Sequence, residues 1–119
     1  MLIDQEELNN IIQGDEDLLA ELATMFVQYL PDMQSRLRLA VADRNVSSLQ
    51  ENAHQLKSRL AYFGATTLRE IASELESSDA NIPMQDIGGR VELLLAGCSD
   101  LVGELNDLTG LALSVDEDE

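Results

Sequence analysis

Seven apolar residues in the stretch from Leu19 to Val41 constrain this chain most. Leu19, Leu22, Phe26, Leu30, Met33, Leu37 and Val41 are separated by gaps of three or four throughout. That spacing places them on one stripe of an α-helix and forbids the alternation a half-buried strand needs. Pro31 lies inside the stripe, where it either kinks one helix or opens a second at its first turn. The stripe keeps its phase across Pro31, so a single kinked helix over about 15–43 is expected, with Asp15 as its cap.

The same period recurs along the chain. Asp4 and Glu7 have the spacing of a capping box for a short helix over roughly 4–13, ended by Gly14. Val46, Leu49, Ala53, Leu56, Leu60 and Phe63 mark a helix over about 46–63, with Gly64 at its end or in a tight corner. Thr67 and Glu70 offer another capping box, followed by Leu68, Ile71, Ala72 and Leu75. Ile87, Val91, Leu94, Cys98, Leu101, Leu105 and Leu108 form a seam over roughly 84–109. Nothing reads as a strand. Four long amphipathic segments with short connections predict an all-α, antiparallel four-helix bundle, with the short N-terminal helix over one end. One domain over 1–110 is expected, then an acidic, disordered tail over 111–119.

Charge narrows the function classes. A net charge of −16 argues against nucleic-acid binding. The charge is uneven, however. Residues 36–69 hold six bases (Arg36, Arg38, Arg44, Lys57, Arg59 and Arg69) and two acids (Asp43 and Glu51), a local balance of +4. No apolar run is long enough to span a bilayer. Cys98 has no cysteine to pair with, lies on the apolar seam and reads as core packing. A cytoplasmic monomer is expected. One histidine without a cysteine cluster makes no structural zinc site, and no Gly-rich phosphate loop is present.

The single histidine, His54, is the candidate chemical group. At 100° per residue it falls about 130° from the core direction of its helix, so it should be exposed. Gln50, Lys57, Ser58 and Ala61 surround it on the wheel, and Glu51 is the nearest acid on the same helix. Small Ser58 and Ala61 leave the imidazole open to a large partner, and Lys57 one turn on could meet a phosphoryl oxygen. From the residues alone, two readings stand: a nucleophile, or an ordinary surface histidine.

The stretch "AHQLKSRLAYFGATTLREIASELE" resembles the signature of histidine-containing phosphotransfer (HPt) domains. His54, Leu56, Lys57, Ala61, Gly64, Ala65 and Leu68 match it in identity and spacing. Phe26, Pro31, Leu37 and Ala40 resemble the family's preceding helix. Ser58 departs from the commoner glycine but is nearly as small, and Arg59 and Leu60 replace small residues at positions turned away from His54. The resemblance implies a free-standing bacterial phosphorelay protein. His54 would carry a phosphoryl group to and from aspartates of response-regulator receiver domains, with hybrid sensor kinases as further partners and Lys57 stabilising the phosphoryl group. Gln50, Ser58, Ala61 and Gly64 would be the docking surface. This chain would bind no cofactor, the receiver bringing Mg²⁺. A hydrogen-bonding side chain on the preceding helix is also implied, with Gln28, Tyr29 and Gln34 as candidates. Gln55 stands where dimeric histidine kinases place an acid, so a carrier without autokinase activity is expected. The alternative is an adaptor that keeps the shape and binds a receiver or kinase without accepting phosphate.

Overall fold

The computed structural model describes residues 2–79 and 81–115. Five α-helices follow in order: α1 (Gln5–Ile12), α2 (Glu16–Ala42), α3 (Val46–Leu60), α4 (Thr66–Glu76) and α5 (Met84–Thr109). A 3₁₀ turn, Ala61–Phe63, joins α3 to the corner before α4. Among the described residues there is no strand. Successive long helices run antiparallel, and α5 returns to pack on α2 as well as α4, closing a ring of four.

Caps set most of the starts. Asp4, Asp15 and Asn45 each accept a bond from the backbone N–H three residues on, at 3.2, 3.0 and 3.0 Å. Each satisfies one of the donors that a helix start leaves free. The capping box at α1 is only half formed, because Glu7 does not return to the Asp4 amide. That N–H donates to the Gly64 carbonyl at 3.0 Å, while Glu7 reaches Arg69 at 3.1 Å. The expected box at Thr67 and Glu70 does not form. Helix α4 begins two residues earlier, with Ala65 at its cap and no side-chain bond.

Helix α2 continues through Pro31, which excludes a second helix start there. The ring can cost the helix only the Pro31 N–H and a crowded Val27 carbonyl. The packed faces on either side, with Leu30, Met33 and Leu37 fully buried, offset that cost. Full burial of each such side chain contributes roughly 1.5–3 kcal/mol. Leu49, Leu56 and Leu60 meet them from α3, and Leu94, Cys98 and Leu101 from α5. Phe26 and Phe63 meet edge to face at 5.4 Å and 72°, which pins the end of α3 to α2. Leu108, expected in the seam, is 39 % exposed near the end of α5.

The segments before α1 and after α5 are both fastened to the C-terminal part of α5. The Leu2 and Ile3 amides donate to the Glu104 carboxylate. Beyond Gly110 the chain turns back along α5, and the Asn106 side chain grips Leu113 by both its N–H and its carbonyl, at 2.9 and 2.7 Å. Leu113 and Val115 pack on the core. The expected disordered tail over 111–119 is therefore corrected for residues 111–115. Residues 116–119 lie outside the described residues.

Candidate functional site

His54 lies on the third turn of α3 with 60 % of its side chain exposed. The wheel placed it facing solvent, and it does. What the wheel of one helix cannot show is the neighbour across the groove. Glu76, in the last turn of α4, brings its Oε2 to 2.6 Å from His54 Nδ1. Its other oxygen, Oε1, accepts from Lys57 Nζ. One carboxylate thus holds the imidazole and the ammonium together.

The corner between α3 and α4 produces this meeting. Gly64 takes φ +63°, a left-handed conformation that costs a non-glycine residue strain, and the chain reverses there. His54 and Glu76 stand eleven residues before and after Ala65. At 1.5 Å per residue both lie about 16 Å from the bend, so antiparallel helices bring them level. Farther from the corner, Gln50 Nε2 donates to the carbonyl of Ser78, just past the end of α4.

An ionised carboxylate only accepts hydrogen bonds. The Lys57 ammonium, and with it the His54 contact, holds the Glu76 carboxyl below the usual range despite partial desolvation, so it is ionised at neutral pH. Nδ1 must then be the donor, which in the neutral imidazole leaves the lone pair on Nε2. A fixed hydrogen bond on one ring nitrogen sets both the tautomer and the ring orientation. The result is an exposed imidazole with a cation one helical turn away.

The other expected site residues separate into two groups. Ser58 is exposed, and its Oγ donates to the His54 main-chain carbonyl at 3.2 Å, which ties the hydroxyl to the helix backbone. Ala61 is half-buried. With Lys57, Thr66, Arg69 and Ser73, these two residues line an open groove of about 420 Å³ between α3 and α4. Gln50 and Gly64 are occupied within the chain. Gln50 is half-buried and committed to Ser78. Gly64 is buried beneath α1, where an added Cβ would meet the Asp4 carbonyl at 3.0 Å and Glu7 Cβ at 3.1 Å. Gly64 as a docking residue is therefore corrected: it serves the corner. Lys57 has 32 % of its side chain exposed and is held by Glu76.

The expected helper on the preceding helix is likewise corrected. Tyr29 lies under the Arg59 guanidinium, 3.6 Å from its ring centroid. Gln34 is buried and lines the α2–α5 groove with Arg38 and Leu95, and Gln28 is exposed. The partner of His54 comes from the following helix instead. The sequence held a signal for Glu76, the equal spacing about Ala65, but using it required the position and sharpness of the corner.

No group of three or more histidine, cysteine or acidic side chains among the described residues is placed to hold a metal ion. No helix of the described residues is long and apolar enough to cross a membrane.

Comparison with known proteins bears directly on this site. The Hpt domain family model matches residues 21–108. The phosphorelay protein LuxU of Vibrio cholerae serotype O1 is 36 % identical over 94 residues, covering 71 % of this chain and 83 % of that protein. No solved structure matches the chain significantly.

Proposed function

Since the chain belongs to the Hpt domain family and is a histidine phosphotransfer protein of a phosphorelay, we propose that His54 is its phosphoacceptor, attacking through Nε2. The observation that carries this reading is the 2.6 Å contact between Nδ1 and Glu76. It makes Nδ1 the donor to Glu76, so that in the neutral ring the lone pair is on Nε2.

In the step proposed, the Nε2 lone pair attacks the phosphorus of a receiver's phosphoaspartate in line. The N–P bond forms and the P–O bond to the aspartate breaks, the carboxylate leaving with the electron pair. Nδ1 keeps its proton, so the ring becomes a phosphorylated cation and no base has to act. Glu76 faces that new positive charge across its hydrogen bond, where a preformed carboxylate stabilises it without reorganisation. The reverse step, onto a second receiver's aspartate, follows the same path. Catalysis of phosphoryl transfer rests mostly on positioning and charge stabilisation, and this site supplies both.

The family implies response-regulator and kinase partners. We assign the finer roles as follows. Receiver domains exchange the phosphoryl group with His54 and bring the Mg²⁺, hybrid sensor kinases load the relay, and this chain acts as a monomer in the cytoplasm. Gln55 beside His54 cannot take a proton, which supports a carrier without autokinase activity. Ser58 and Ala61 support close approach of a receiver through their small size.

Incubating the protein with phosphorylated receiver domains tests the assignment. Label should appear on the parent chain and be absent from His54→Gln. Equal labelling of His54→Gln, or a variant that binds and signals like the parent, overturns it in favour of the adaptor.

A further inference from the structure

Glu76 divides its two oxygens between two partners: Oε2 to the imidazole, Oε1 to Lys57. The lysine expected to stabilise a phosphoryl group is thus already engaged in the unphosphorylated protein. We infer that Lys57 is a transferable cation: it rests on Glu76 and moves to the phosphoryl oxygens once His54 is phosphorylated, while the charged ring remains as the partner of the carboxylate. This inference rests on His54 being the phosphoacceptor.

Charge, reach and room support it. Before phosphorylation the carboxylate is shared between the Lys57 ammonium and the Nδ1 proton of the ring. The transfer step adds a phosphoryl group on Nε2 and leaves the proton on Nδ1, so the ring carries a positive charge beside Glu76. The carboxylate then no longer needs the lysine for neutralisation. A phosphoryl group nearing two negative charges, with three acceptor oxygens, attracts the ammonium more strongly than a carboxylate already paired with an imidazolium. Lys57 and His54 are three residues apart on α3, with Cβ atoms about 5–6 Å apart, so the flexible lysine stem can reach a group on the neighbouring ring. Lys57 borders an open groove, lined also by Ser58, Ala61, Thr66, Arg69, Glu70 and Ser73, so its side chain is not packed in on that side. Exposure rises from 29 % for Glu76 and 32 % for Lys57 to 60 % for His54, so the path from carboxylate to ring tip leads outward.

The exchange would mark the two states of the protein for its partners. In the resting chain α3 is tied to the end of α4 by three side-chain links: His54–Glu76, Lys57–Glu76 and Gln50 to the Ser78 carbonyl. Moving Lys57 removes one of these links and places its charge on the docking face.

The sequence makes the test unusually clean, because His54 is the single histidine and Lys57 the single lysine. Selective ¹⁵N labelling of both side chains gives one spin system each. Phosphoramidate serves as a small phosphodonor that needs no protein partner. After treatment, N–P coupling should appear at Nε2, Nδ1 should keep its proton, and the Lys57 ammonium resonance should shift. In unphosphorylated Glu76→Gln, with an amide spectrum like the parent's, that resonance should already lie at the position of a solvated lysine. A Lys57 signal unmoved by phosphorylation, or the same in the parent and Glu76→Gln before it, overturns the exchange alone. If no N–P coupling forms at His54, the phosphoacceptor reading falls, and the exchange with it.

Discussion

Replacing Gly64 with alanine probes the corner on which the site depends. Two costs combine at this position. The first is conformational: at φ +63° a residue with a Cβ adopts the left-handed region at roughly 1–2 kcal/mol. The second is steric. The new methyl would stand 3.0 Å from the Asp4 carbonyl, 3.1 Å from Glu7 Cβ and 3.4 Å from the Leu8 amide, so α1 must retreat by a few tenths of an ångström. Overpacking of this sort costs about 1–3 kcal/mol. Together they predict a loss of about 2–5 kcal/mol, a large fraction of the ~5–15 kcal/mol that stabilises a typical domain. Gly14 supplies the control. It has φ +80° but nothing within 4 Å of an added Cβ, so Gly14→Ala should show the conformational cost alone. Urea unfolding followed by far-UV circular dichroism measures both, and the difference between the variants isolates the contact of α1 with the corner. Equal losses in the two variants would show that α1 does not press on Gly64. A Gly64→Ala loss below about 0.5 kcal/mol would refute the left-handed corner itself, and with it the register that sets Glu76 level with His54.

Two further outcomes follow from the packing and the ion pairs. Burial pushes the Cys98 thiol up to about 12, so an aromatic disulfide reagent at pH 8 should leave the folded chain unmodified and react at once in denaturant; rapid labelling of the native protein would contradict its place in the core. Lys57 holds the Glu76 carboxyl, and Arg38 the Glu92 carboxyl, below their ordinary values, so each contributes stability that is present above the unfolded-state pKa of about 4.3 and lost as pH falls through the folded value. The urea midpoint should therefore drop between about pH 5 and 3, and Lys57→Met should make that fall shallower; an unchanged slope would show that the pair carries no linkage.

Much of the architecture was legible because helical burial has a period. Every expected core position on α3 except Val46, at its first turn, is buried, and so is the α5 seam up to Leu105. Leu108 departs from the pattern because periodicity reports a face of a helix, not whether another element covers it at that height. Caps were legible where a side chain needed only its own backbone, as at Asp15. They were misread where a residue had a distant alternative: Glu7 bonds to Arg69, and the Gly64 carbonyl takes the Asp4 amide. The extended segment after Gly110 carried no periodic signal, since Asn106 holds it through its main chain.

The same division runs through the site. The exposure of His54, the small neighbours Ser58 and Ala61 and the proximity of Lys57 are properties of one helix, and the sequence by itself determined them. The tautomer of the imidazole, the engagement of Lys57 and the role of Glu76 were decided only by tertiary structure. They depend on where α3 stops, how sharply Gly64 turns the chain and which turn of α4 then comes level with His54. A helix fixes its own geometry through hydrogen bonds within about four residues, whereas a contact between residues 54 and 76 depends on every dihedral at the corner between them.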